Sequence, residues 1–177
     1  ENRTIDISSD VCSSDLENRT IDISSLNELV EHLSVKHNKL AIVLDYQADL
    51  KVSGFVGPII DLNTYLSQAL LNTSVAKRPR NIAILLSDRI TDLSATWVCL
   101  AGLEVLFEPS LQVQVVELLK QLAHDHVIVA LWPGEYIEGT AKLSYSKLGH
   151  IEYQDYTLTP NDDFEVIHAQ NLIKGNT

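Results

Sequence analysis

Residues 39–45 read KLAIVLD. Five apolar residues follow one another without a polar break, and the run ends in an acid. A strand with one wet face alternates apolar and polar residues. An unbroken apolar run suits a strand covered on both faces, which is the habit of parallel sheets packed between helices. Two further stretches share the pattern: TWVCLA at 96–101, and VIVALW at 127–132, which Pro133-Gly134 closes. PIIDL at 58–62 reads as a short additional strand.

Between these runs the apolar period lengthens from strand to helix. Ser24 and Ser25 precede Leu26, Leu29, Val30 and Leu33, a capped helical spacing that predicts a helix over about 26–37, ended by Asn38. Leu62, Tyr65, Leu66, Ala69 and Leu70 predict a second over about 62–73. Residues 81–90 suit either strand or buried helix; Pro79 just ahead of them favours a helix, because proline is tolerated at a helix start. Glu108-Pro109-Ser110 is read as opening an amphipathic helix with Leu111, Val115, Leu118, Leu119 and Leu122 on one face. Strands separated by helices give right-handed βαβ units, hence an α/β fold: a three-layer αβα sandwich around a mostly parallel sheet. The polar, tyrosine-rich tail from about 135 is expected to wrap the carboxyl edge of the sheet and end in a loose strand or helix near 163–173.

The bulk numbers fit one domain. The chain has 177 residues, 45% hydrophobic and 21% charged, enough apolar material for a core. Its net charge of −11 argues against non-specific nucleic-acid binding and against an acidic membrane surface, both of which need a basic protein. No apolar run is long enough for a membrane-spanning helix and no signal-peptide pattern is present. The cysteines, Cys12 and Cys99, cannot build a disulfide framework or a thiolate metal site, and the expected location is the cytoplasm.

One repeat stands out. ENRTIDISS occurs at 1–9 and again, unchanged, at 17–25, joined by DVCSSDL. A repeat that evolved as structure would not stay identical here and vanish from the rest, and the joining heptapeptide has the form of a translated sequencing adapter. Residues 1–16 are therefore expected to be a duplication artefact, disordered and outside the natural fold, with a single α/β domain over 17–177. Without the four acids and one arginine of that segment the net charge is −8, and Cys99 is the one remaining cysteine. The lack of methionine is read as a missing true start.

Ligands of such sheets bind beyond the carboxyl ends of the strands. Three places qualify: the loop 45–54, the turn after Ala101 and the turn Trp132-Pro133-Gly134-Glu135-Tyr136. The first is where a phosphate-binding loop, G-x-x-x-x-G-K-[ST], would lie. The frame here is Asp45-Tyr46-Gln47-Ala48-Asp49-Leu50-Lys51-Val52. Only Lys51 fits. Asp45 and Asp49 put negative charge where phosphate would sit, and Val52 cannot hold Mg²⁺. At the second place a metal-binding acid should end the strand, but Ala101-Gly102 stands there, with Glu104 nearby and off register. At the third, Trp132 and Tyr136 are candidates to line a cleft with Glu104 and Glu135, or else to pack as a rim under the tail.

The remaining candidates are weaker. His124 and His126 flank Asp125 at a helix end, where a favourable helix-terminus charge is the expectation rather than a metal site. His32 and His37 lack zinc-helix spacing, Cys99 is read as an inert core thiol, and Lys77, Arg78 and Arg80 as a solvated basic loop. The adjacent Asp162 and Asp163 look like a helix-start signal. No catalytic residue and no metal ligand is assigned.

Residues 94–156 resemble the C-terminal half of BrxF, the small P-loop protein family of type III BREX phage-defence systems. The resemblance rests on Leu103-Glu104-Val105-Leu106-Phe107-Glu108-Pro109 after the strand, on Ala130-Leu131-Trp132-Pro133-Gly134-Glu135-Tyr136, and on Leu143-Ser144-Tyr145, Gly149-His150, Glu152-Tyr153 and Tyr156. Ile60-Asp61-Leu62-Asn63 through Leu70-Leu71 extends it, to about two-thirds of the natural chain. It implies a P-loop NTPase-like fold, a place among phage-defence proteins as partners, and Lys51 as a vestigial phosphate lysine. The family's intact Walker A is missing here and its Walker B acid maps to Ala101. The expectation is thus a pseudo-ATPase without resident cofactor, acting as a non-catalytic partner or regulator. Two alternatives stay open: an active protein binding ATP with Mg²⁺, and an unrelated small α/β binding module.

Overall fold

The computed structural model describes residues 26–45 and 57–173. Its elements in chain order are α1 (Leu26–Ser34), β1 (Leu40–Leu44), β2 (Ile59–Asp61), α2 (Leu62–Ala69), α3 (Arg78–Asp92), β3 (Trp97–Ala101), α4 (Val115–Leu122), β4 (Val127–Leu131), β5 (Glu135–Ile137), β6 (Lys142–Tyr145), β7 (Gln154–Thr157), β8 (Glu165–His168) and α5 (Ala169–Ile173). Short 3₁₀ turns at Val75–Lys77, Leu103–Phe107, Pro109–Leu111 and Glu138–Thr140 punctuate the connections.

The main sheet has five parallel strands in the order β2-β3-β4-β1-β8. Alternation along β1 divides the interior. Leu40, Ile42 and Leu44 join α2, α3, α4 and the small second sheet in the larger core, while Ala41 and Val43 join Leu29 and Leu33 of α1 and Leu172 of α5 on the other face. Every residue of β1 and β4 is buried, which is why both read as continuous apolar runs. Cys99 lies in the α1-side core, where burial pushes its thiol up to about 12. Among the described residues no helix is long and apolar enough to cross a membrane.

Several expectations meet their elements. Residues 81–90 are helical, and α3 opens at Arg78 with Pro79 in its first turn. The expected α4 begins later than the sequence suggests. Pro109–Leu111 makes only a 3₁₀ turn, and Gln112 adopts the left-handed conformation, with φ 51°, which stops it. The helix restarts at Val115, capped from a distance: Gln154 of β7 accepts a hydrogen bond from Val115 N at 3.1 Å and donates one to Val113 O at 2.7 Å.

The tail departs furthest from expectation. Residues 135–157 form a three-stranded antiparallel sheet, β5-β6-β7, and β8 then enters the main sheet parallel to β1. It is an integral fifth strand, not a loose one. Asp162 and Asp163 start no helix; they pin this strand from its two sides. Asp162 is buried and receives Lys120 Nζ at 3.0 Å, Tyr156 OH at 2.8 Å and Thr159 N at 2.8 Å. Asp163 receives Lys36 Nζ at 3.1 Å, and Lys36 also pairs with Glu165, which is buried in β8 and meets His32 Nε2 at 3.2 Å. Burial alone would lower the Lys36 pKa, but the Glu165 and Asp163 carboxylates outweigh it and hold the ammonium above its ordinary value.

Candidate functional site

The chain leaves β1 toward β2 at one end of the sheet, and leaves β4 toward β8 at the other. The strand order reverses at the β1–β4 pair, and the crevice outside their carboxyl ends is the place where such a sheet takes a ligand. β1 delivers Asp45 there, β4 delivers Trp132, β8 delivers His168, and β3 ends beside it at Ala101-Gly102.

Asp45 leaves β1 in the left-handed conformation, φ 53°, a backbone that aspartate tolerates better than most residues. Its Oδ2 lies 2.7 Å from Nδ1 of His168. A carboxylate can only accept, so this ring nitrogen carries the proton and donates. On the far side of the ring, His168 Nε2 faces Glu138 Oε1 at 3.7 Å. One imidazole thus lies between two largely exposed carboxylates at the carboxyl edge, bonded to Asp45.

At the end of β3, Ala101 is registered beside Asp61 of β2. The carboxylate of Asp61 is committed to the α2 N-terminus, accepting from Asn63 N at 3.0 Å and Thr64 N at 3.3 Å. Gly102 follows with φ 67°, and a Cβ there would lie 2.7 Å from Asp61 Oδ1, so this corner is filled by protein.

The turn after β4 folds inward. Trp132 is only 3% exposed; its backbone N continues the ladder to Val43 O at 2.9 Å, and its indole donates to Ser144 O at 3.1 Å. Phe107 meets Trp132 edge to face at 5.6 Å and stacks on Tyr145 at 3.9 Å. Trp132 borders a crevice of about 20 Å³ with Gln154 and Tyr156. Tyr136 packs half-buried against the larger core, whereas Glu104 and Glu135 are exposed. Glu104 is close enough to Tyr145 to act on its phenol, whose pKa is raised by burial first and by the Glu152 and Glu104 carboxylates after it. Gly134 makes the fold-back feasible: a Cβ there would sit 1.8 Å from Ser144 O. Gly134→Ala is expected to cost about 1–3 kcal/mol in urea unfolding by forcing β5 away from β6.

Lys51 and the rest of its loop frame, 46–52, lie outside the described residues. His124 is at the end of α4 as expected, with Nδ1 3.3 Å from Asp125 Oδ1 and its ring edge-on to His37 at 5.1 Å. Lys77 and Arg80 are exposed, and Arg78 Nε donates to Thr73 O at 3.2 Å. His168 and Glu138 are the site residues the sequence reading missed. Neither belongs to a motif, and only the pairing of β8 with β1 brings His168 to Asp45. No family model, curated protein or solved structure matches the chain.

Proposed function

We propose that this chain is a P-loop NTPase-like protein that has given up nucleotide chemistry and acts as a non-catalytic partner within a bacterial phage-defence system of the BREX type. The observation that carries the loss of chemistry is the clamp at the end of β1. A phosphate-binding edge presents backbone N–H groups and a cation. Here the edge presents Asp45 and Glu138 around His168, and like charge at that position opposes a polyphosphate. The second necessary group, an acid at the end of β3, is replaced by Ala101-Gly102, and the neighbouring Asp61 is spent on capping α2.

The fold-level support is an analogy. What supports it is a fully parallel five-stranded main sheet between helices, the architecture that the resemblance implies. The assignment to phage defence rests on the resemblance of residues 94–156 to the BrxF family.

Phosphate release from Mg-ATP is the activity test. The full chain is expected to give no rate above a protein-free blank, and Asp45→Ala is not expected to create one. Co-expression with the proteins encoded beside it should yield a complex that survives gel filtration. Turnover by the wild-type chain, abolished by removing Lys51, would overturn the proposal.

A further inference from the structure

The helical pair α2–α3 holds the longest acid-free stretch of the chain. The sequence has 24 acids, yet none falls between Leu62 and Ser87. Lys77, Arg78 and Arg80 lie within that stretch, where α2 gives way to α3. Tyr65 OH of α2 donates to Leu85 O of α3 at 3.1 Å, and Arg89 of α3 lies over the Tyr65 ring. The two helices therefore run side by side, and the turn between them is the tip of the pair. It is well braced: Thr73 N donates to Leu70 O at 3.0 Å, Lys77 N to Ser74 O at 2.9 Å, and Arg78 Nε to Thr73 O at 3.2 Å. The acids Asp61, Asp88 and Asp92 are exposed at the other end of the same two helices.

Stability does not account for these cations. The amino end of a helix is its positive end, and it repels cations and favours acids. α3 begins at Arg78, with Lys77 just before it, and has no acid in its first turn. Among the described residues none of the three cations has an ion pair, and Lys77 and Arg80 are exposed. A local rule of helix stability is broken with no compensating ion pair, which is where a functional demand is expected. The same tip leaves Leu71 and Val75 uncovered, at 75% and 55% exposure.

We infer that the α2–α3 tip docks an acidic segment of a partner protein, one that carries aliphatic side chains among its carboxylates. The carboxylates meet Lys77, Arg78 and Arg80, and the aliphatics cover Leu71 and Val75. The tip's own chemistry selects this occupant over other polyanions. Three cations fall short of the cluster of about four to eight that holds a protein to an anionic membrane. Residues 70–80 contain no aromatic side chain on which a nucleic-acid base could stack, and a phosphate backbone has nothing to cover the aliphatics. The rest of the molecule also directs the docking. With a net charge of −11 it repels an acidic segment elsewhere, so the tip is where such a segment lands. The inference rests on reading the chain as a partner protein and is independent of its nucleotide chemistry.

Fluorescence anisotropy of a fluorescein-labelled peptide built of glutamate and leucine, titrated with the full chain, tests it. Saturable binding is expected, weaker as salt rises. Lys77→Glu combined with Arg80→Glu should weaken it about tenfold or more. Acids suit the start of a helix, so this double variant should unfold at no lower temperature than wild type, which separates lost binding from lost folding. Leu71→Ser should weaken binding and leave its salt dependence unchanged. No binding by the wild-type chain at any concentration would overturn the inference, and so would equal binding by the double variant. Tighter binding to phosphatidylserine vesicles or to a single-stranded oligonucleotide than to the peptide would overturn it in favour of a membrane or a nucleic acid. A co-expressed complex that the double variant leaves intact would remove this surface and leave the partner role standing.

Discussion

Asp162→Ala is expected to lose about 2–4 kcal/mol of folding stability, the cost of removing a buried carboxylate on which several donors converge. The carboxylate is 5% exposed and gathers Lys120, Tyr156 and both the N–H and hydroxyl of Thr159. Removing it takes the acceptor from the Tyr156 hydroxyl and from Thr159, and leaves Lys120 with Tyr156 and, at 3.7 Å, Glu117. It also frees the segment that leads into β8, so one edge of the main sheet loosens. The acid dependence has a definite sign. Burial would raise the Asp162 pKa, but hydrogen bonds from Thr159, Tyr156 and Lys120 outweigh it and hold the group below its ordinary 3.8. Its contribution is therefore complete above pH 3.8 and fades as pH falls through the lower folded value. The alanine variant should lie far below wild type in urea unfolding at neutral pH, and the gap should narrow in acid. Equal midpoints at neutral pH would contradict this account of the β8 edge.

Phe107→Ala is the second large effect, about 3–5 kcal/mol. Phe107 is almost wholly buried at the joint between the two sheets, edge-on to Trp132 and stacked on Tyr145. Deleting the ring opens a cavity beneath the fold-back turn, and neither neighbour can collapse into it while Trp132 stays bonded to Ser144. Phe107→Leu keeps most of the volume and should cost less than about 1.5 kcal/mol. Urea midpoints of the two variants, with the fluorescence of Trp97 and Trp132 as the probe, separate cavity formation from a general loss of apolar surface. Equal costs for the two would contradict the packing argument.

The legible part of the fold was the part whose environment is simple. β1, β3 and β4 are apolar throughout because helices cover both faces, and a fully buried strand cannot disguise itself. Pro79 settled the ambiguous helix, since its missing N–H costs nothing in a first turn. β8 was half legible, expected as a loose strand or helix near 163–173, and its place in the main sheet was hidden for the opposite reason. Its four residues include Glu165, an acid no one would assign to a core, and it is tolerated because His32 of α1 and Lys36 of the turn after α1 come to it. The pairing spans 133 residues, beyond any local pattern.

The candidate site divides along the same line. Asp45 was visible as the last residue of an apolar strand, and the absence of an acid at Ala101 was visible beside it. His168 sits 123 residues from Asp45, and Glu138 lies in a turn with no motif around it. Their meeting depends on which strand is placed beside β1, a property of topology that residue spacing does not encode. Trp132 has the opposite character: an aromatic after a strand suggests a cleft wall, yet its N–H finds Ser144 O inside and the ring follows.

Calorimetric titration of the full chain with Mg-ATP, beside Lys51→Ala, tests the proposed loss of nucleotide chemistry most directly. The account predicts no binding heat from either protein, because the described residues at the carboxyl edge of β1 place the Asp45 and Glu138 carboxylates around His168, where a phosphate would meet like charge. Micromolar binding by the wild-type chain that disappears in Lys51→Ala would contradict it, and would make this protein a nucleotide binder after all.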